Sequence, residues 1–175
     1  WIIEAGVPFA VVFTKIDKQS TSQTQASIDR FIVASGLDQL DAAGRPAAAI
    51  AVALAVELPG LSIVATDESA ATLEVAPRNA ARHGVAERIE FRCGDLFAAL
   101  ECDEVFDVIV SNPPYVASAD LPTLAPDVRD FEPTSALEAG AGGLDVIRRL
   151  LPEAARALRP GGSVVLEVGD TQAGA

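Results

Sequence analysis

The chain contains no methionine, one histidine and two cysteines in 175 residues, and each scarcity removes a class of chemistry. His83 is the only imidazole and falls in a polar stretch that reads as a helix surface, so a Ser–His–Asp triad has little to stand on. Cys93 and Cys102 form neither a C-x-x-C pair nor a zinc-ligand pattern, and no metal is expected. Basic residues are few, 13 against 25 acidic, giving a net charge of −12 and no Lys/Arg cluster. A phosphate-dominated grip on nucleic acid, which needs a basic stripe, is therefore not expected. Long apolar runs are absent too. The longest, Ala47 to Val56, is mostly alanine and about half the roughly 20 residues of a membrane span, so it reads as a buried helix and no membrane partner is expected. No signal-peptide pattern stands at the start, which makes the cytoplasm the expected compartment. With no methionine and Trp1 in front, the chain reads as an excised or fused piece.

What is present is half hydrophobic by composition, with a mean hydropathy of +0.30, enough for one good core with an appendage. The most telling stretch is Val105 to Val116, V-F-D-V-I-V-S-N-P-P-Y-V. Phe106 to Val110 has the composition of a buried strand, and Asn112-Pro113-Pro114 ends it, because neither proline can donate a ladder hydrogen bond. The result is a stiff loop presenting the Asn112 carboxamide, bare backbone carbonyls and the ring of Tyr115. In open α/β sheets, ligands sit beyond the carboxyl ends of strands, where such a loop lies. The loop suits methylation of a planar, uncharged nitrogen. The Asn112 side-chain oxygen and the Pro113 carbonyl can accept its two N–H bonds, and Tyr115 can stack on the flat group. No strong general base is needed, since the nitrogen becomes acidic only once methylated. The plainer alternative is a turn with Tyr115 capping a core.

S-N-P-P-Y (Ser111 to Tyr115) resembles the signature of S-adenosyl-L-methionine-dependent amino-group methyltransferases, which act on adenine N6, guanine N2 or a glutamine side-chain amide. The text downstream resembles one branch: F-E-P-T-S-A-L from Phe131, G-G-L-D from Gly142, L-R-P-G-G from Leu158, and E-V-G from Glu167 with Gln172. That branch is the protein-(glutamine-N5) methyltransferases, which modify the Gly-Gly-Gln loop of peptide chain release factors. The resemblance covers about residues 40–175. It implies an α/β, Rossmann-like, mainly parallel sheet, a release factor as protein partner, and Asn112, Pro113, Pro114 and Tyr115 holding the amide, with Asn112 also near the cofactor. The text ends before the family's last two strands.

Upstream, the resemblance assigns the cofactor. Leu37 to Ala49 occupies the place of the first strand and its glycine-rich loop, whose glycines let backbone approach the methionine part of the cofactor. Gly44 survives, whereas Pro46, Ala47 and Ala48 stand where glycines are expected; Gly44 and Ala48 are placed beside the cofactor. Each added Cβ narrows the space for a ligand, and Pro46 removes a donor. A helix follows from Ala47 to Leu58, then a strand from Leu61 to Thr66 ending at Asp67, whose carboxylate is expected on the ribose hydroxyls or, alternatively, at a helix N-cap. Pro77 falls inside the next helix and is expected to kink it or end its first half. After a third strand, Arg88 to Arg92, the resemblance gives Asp95 the adenine amino group and packs Leu96 on the ring. Asp107, inside the fourth strand, reads as structural. Tyr115 to Ala136 reads as a long structureless loop, a lid or a substrate surface, Leu144 to Leu158 as a helix, Arg159 to Gly162 as a turn and Ser163 to Val168 as a fifth strand.

Residues 1–34 read differently from the methyltransferase domain expected over 35–175. Val7 to Phe13 is a buried-strand pattern, followed by Thr14-Lys15-Ile16-Asp17-Lys18, and Ser20 to Ala34 reads as an amphipathic helix. The segment resembles the guanine-recognition T-K-x-D piece of small bacterial ribosome-assembly GTP-binding proteins. No G-x-x-x-x-G-K-[ST] loop exists to cradle phosphates, so a strand–loop–helix unit packed on the main domain is the expected role, its strand available to cover a sheet edge. Left open are a nucleic-acid base methyltransferase of the same fold and a catalytically impaired fusion with vestigial guanine-nucleotide binding.

Overall fold

The computed structural model describes residues 11–16, 48–130, 132–169 and 172. Five strands form one sheet: β1 (Val11–Ile16), β2 (Leu61–Asp67), β3 (Ile89–Cys93), β4 (Phe106–Ser111) and β5 (Leu158–Leu166), in the spatial order β3-β2-β1-β4-β5. Three helices of substance accompany them: α1 (Ala49–Glu57), α2 (Ala70–Arg82) and α3 (Asp145–Ala157). Among the described residues no helix is long and apolar enough to cross a membrane.

Alternation along the strands divides the core between two faces. Ile63, Ala65, Val108 and Val110 pack with Ala51 and Leu54 of α1 and with Ala76 and Ala80 of α2. Val64 and Ile109, the intervening positions, pack on the other face with Leu150 and Ala154 of α3. This is the three-layered α/β architecture expected from the sequence, and it explains why β4 is buried at every position. α1 is apolar all round and correspondingly sunk, with Ala51, Leu54 and Ala55 at 0% exposure.

β2 pairs parallel with β3, and β4 parallel with β5. β1 runs antiparallel to both of its neighbours, so the sheet is parallel in four strands with one reversed strand at its centre. The expectation that the N-terminal strand covers an edge is thus corrected. Val11 stands opposite Thr66 on one side and Ser111 on the other. The helix expected over 20–34, the junction at 35–36 and the glycine-loop segment through Ala47, Gly44 included, lie outside the described residues.

Local chemistry sets the helix ends. Ser69 caps α2, its hydroxyl accepting from the Thr72 N–H at 3.2 Å. The helix ends at Gly84 (φ 71°), with the Val85 N–H returning to the Ala80 carbonyl. Of the two outcomes expected at Pro77, an end to the first half of the helix is not seen: the helix runs on through it to Arg82. The proline lies on the exposed side, where water can take over the bond its missing N–H would have made. The expected turn at residues 159–162 becomes a bulge inside β5: Leu158 faces Phe106, yet Ser163 already faces Val108. Gly161 takes φ 82° there, and a Cβ on Gly162 would lie 2.9 Å from the Asp107 carbonyl. Arg159, carried by the bulge, ion-pairs with buried Asp107, which accounts for that carboxylate as a structural group.

A strand paired on both sides has no tolerance for a missing donor. Phe13, opposite Val64 and Ile109, is the test position. Phe13→Pro should lower stability by about 3 kcal/mol or more in urea unfolding, whereas a loss below about 0.5 kcal/mol would contradict a central β1.

Candidate active site

The carboxyl ends of β2, β3 and β4 emerge at one edge of the sheet. Asp67 is in register with Cys93, and Thr66 and Ser111 face the same residue of β1. Asp67, the Gly94–Leu96 turn and the Asn112–Tyr115 corner therefore lie along one rim. Backbone bonds tie the rim together: the Gly94 N–H reaches the Asp67 carbonyl at 3.1 Å, and the Thr66 hydroxyl donates to the Leu96 carbonyl at 3.1 Å. Gly94 is required by space, since a Cβ would come within 2.8 Å of the Ala99 Cβ.

Asp67 is 5% exposed. Its Oδ1 accepts the Ser69 N–H at 2.8 Å, the Asx arrangement that opens α2. Burial raises its pKa from 3.8 to about 6, the Ser69 bond pulling back and neighbouring Glu68 pushing further up. A desolvated carboxylate in this state gains from further donors. Two adjacent hydroxyls would supply them, so the position fits an adenosyl ribose; the alternative expectation of a helix N-cap falls to Ser69 instead.

Asp95 and Leu96 fit less simply. Asp95 is exposed, and its carboxylate forms an ion pair with Arg149 of α3. An amino group could share that carboxylate with the guanidinium. Leu96, expected to pack on the ring, has its side chain in the core. It is 1% exposed and inserted among Val64, Phe106, Ile109, Leu150 and Ala154, so a ring can meet it only through its backbone. Its φ of 51°, unusual for a leucine, is what turns the side chain inward. Ala48, at the mouth of α1, has φ 59° and is 7% exposed. The backbone there keeps the left-handed conformation natural to glycine although alanine occupies it, at a strain of about 1 kcal/mol.

The corner itself is held from outside. Ser111, Pro113 and Pro114 are buried, and Asn112 and Tyr115 are half-buried. The Tyr115 hydroxyl donates to Glu167 Oε1 at 3.0 Å, and its carbonyl accepts from Gln172 Nε2 at 3.0 Å. Burial pushes the Glu167 carboxyl above the usual range, and the Tyr115 hydroxyl pulls it back. The segment after the corner is not structureless as expected. Val116 and Glu138 form a parallel bridge, Ser118 Oγ donates to Glu138 at 2.6 Å, and single helical turns occupy Leu121–Thr123, Pro126–Arg129 and Thr134–Leu137. Sequence reasoning assigned no role to Arg149, Glu167 or Gln172 individually. Their partners lie 52 to 57 residues away, and no local pattern encodes such pairings.

A rim of this kind, at the carboxyl ends of a mainly parallel sheet, is that of a nucleotide-type α/β domain. The family model described as the methyltransferase small domain matches residues 34–125, and the chain belongs to that family. The release factor glutamine methyltransferase of Gloeobacter violaceus is 46% identical to it over 125 residues, covering 71% of this chain and 43% of that protein. The one of Geobacter sulfurreducens is 47% identical over 124 residues, with 71% and 43% covered. The one of Bradyrhizobium diazoefficiens is 37% identical over 172 residues, covering 96% of this chain and 57% of that protein. The chain spans about half the length of the curated relatives it matches.

The raised pKa of Asp67 has a sign. The native carboxyl binds its proton more tightly than the unfolded one, so this group's contribution to stability is fully present below about pH 4 and is lost as pH rises through about 6. Asp67→Asn, whose oxygen can still accept the Ser69 N–H, should raise neutral-pH stability by on the order of 2–3 kcal/mol and flatten that slope, leaving the smaller part due to Glu167. Thermal melts at pH 4 and pH 7 check this; equal pH dependence in both proteins would contradict it.

Proposed function

We propose that this chain methylates a glutamine side-chain amide at N5, with S-adenosyl-L-methionine as donor and the Gly-Gly-Gln loop of a peptide chain release factor as substrate. The observation that carries it is the Asn112–Tyr115 corner on the same rim as the desolvated Asp67. The names of the relatives point to the same chemistry. A release-factor substrate makes the cytoplasm the working compartment. The division at residues 34 and 35 is kept as one of sequence origin, not of packing, because β1 sits within the sheet.

The residues divide the work by what they can accept. Asp67 takes the ribose hydroxyls. Asp95, shared with Arg149, takes the adenine amino group, with the Leu96 backbone beside it. Gly44 and Ala48 border the methionine part. When bound, the cofactor supplies an electrophilic methyl carbon on a sulfonium. The Asn112 side-chain oxygen and the Pro113 carbonyl accept the two amide N–H bonds, which fixes the carboxamide plane so that the lone pair perpendicular to it would face that carbon; the sulfur would leave as a neutral thioether, and the proton made acidic by methylation would pass to water. Pro113 and Pro114, lacking N–H groups, leave the loop with fewer donors than acceptors. Tyr115, fixed at its hydroxyl and its carbonyl, packs on the flat amide.

Asn112→Ala removes one acceptor from the amide clamp and nothing from the ribose or adenine contacts. Labelled-methyl transfer to release factor should fall by on the order of 100-fold or more while cofactor affinity changes little. Unchanged turnover, or transfer to DNA or ribosomal RNA in preference to release factor, would refute the assignment.

A further inference from the structure

The side-chain amide of Gln172 makes three hydrogen bonds that join three separate stretches of chain. Its Oε1 accepts the Gly169 N–H at 3.0 Å, and its Nε2 donates to the carbonyls of Tyr115 and Gly143 at 3.0 and 3.1 Å. Its own N–H closes the turn by donating to the Gly169 carbonyl at 2.8 Å. The pattern fixes which end of the amide faces where, since a flipped carboxamide would set oxygen against two carbonyl oxygens. Gly143 is shaped to this arrangement. It has φ 67°, and a Cβ there would collide with the Tyr115 carbonyl and lie 2.7 Å from Gln172 Nε2. Glu167, at the other end of the same short segment, receives the Tyr115 hydroxyl, and its N–H donates to the Ser111 carbonyl at 3.0 Å. Tyr115 is thus held at both ends by residues 167–172, with nothing from its own loop contributing to either bond.

We propose that Gln172 is a positioning residue for the reaction: by holding the Tyr115 and Gly143 carbonyls in one amide grip, it sets the height of the Asn112–Tyr115 corner over the methyl donor. The proposal rests on the methyl-transfer reading above, and it acts through Tyr115 without Gln172 touching either substrate. An amide is suited to this task because it alone among uncharged side chains offers two donors and an acceptor in one plane. A displacement of the corner by about 1 Å is enough to cost two orders of magnitude in rate, since the amide and the methyl carbon must meet in line.

The test uses the full chain with two substitutions and a reporter independent of activity. Gln172→Met keeps the length of the side chain and removes both donors. Gln172→Glu presents a carboxylate to two carbonyls and regains a donor only when protonated. In Gln172→Met, kcat for release-factor methylation should fall on the order of 100-fold, with KM and calorimetric cofactor affinity within about threefold of the parent. In Gln172→Glu the loss should shrink as pH is lowered, a recovery that general destabilisation would not give. Tyr115 is the only tyrosine in the sequence, so fluorotyrosine incorporation gives a single fluorine signal. That signal should shift and broaden in Gln172→Met and return towards the parent position in Gln172→Glu at low pH. Parental kcat together with an unmoved fluorine signal in Gln172→Met overturns the proposal. A moving signal in a chain whose parent transfers no methyl group supports the latch and counts against the methyl-transfer reading instead.

Discussion

The N–H of Glu167 donates to the Ser111 carbonyl at 3.0 Å, carrying the β4–β5 ladder one residue past the end of β5 and up to the proline corner. The corner that follows cannot fix itself, because Pro113 and Pro114 have no N–H to give. Its shape is therefore borrowed from its neighbours. Glu167 reaches the Tyr115 hydroxyl, Gln172 reaches its carbonyl, and Gly143 leaves the space in which both can happen. A loop rich in acceptors and poor in donors is a poor structural element and a good receptor for an N–H-bearing amide. The two properties have one cause.

The opposite compromise is made at Asp67. Its carboxylate is buried at the end of a strand whose other residues are almost all core, and the burial raises its pKa from 3.8 to about 6. The hydrogen bond that side chain accepts, from the Ser69 N–H, needs an acceptor but not a charge, so an asparagine could serve it as well. Local rules are broken in this way where a ligand completes what the protein leaves under-satisfied. The strain at Ala48 and Leu96, both with positive φ, lies on chain segments bordering the same rim. The two-faced core, with α1 and α2 on one side and α3 on the other, is what holds these positions against their local preferences.

Much of the architecture was legible before any coordinates. The strands at β2, β3 and β4 and the helices between them follow from short apolar runs, capping residues and glycine stops. The position of β1 was not legible from local pattern, because sequence order says little about which gap in a sheet a strand fills. One signal did point inward: Val11-Val12-Phe13 is apolar at consecutive positions, which a strand with one solvent face does not need. The bulge in β5 was read as a turn because Arg-Pro-Gly-Gly carries turn chemistry in either setting. Leu96 was placed on a ligand by analogy, and its unusual backbone angle, which sequence does not reveal, sends it into the core. Asn112 and Tyr115 were found because two prolines after an apolar strand are a local signal. Glu167 and Gln172 stand in the text that carries the resemblance, but their support of Tyr115, 52 and 57 residues away, shows only in the hydrogen bonds.

The account requires that the rim bearing Asp67 and the proline corner bind an adenosyl sulfonium, despite alanine in the glycine-loop position. Calorimetric titration of the chain with S-adenosyl-L-methionine tests this directly. The account predicts one saturable site per chain. It also predicts that Ala48→Gly, which removes a Cβ and relieves the positive φ, tightens that site. No heat of binding in either protein, in a chain shown to be folded by its melting transition, would contradict it.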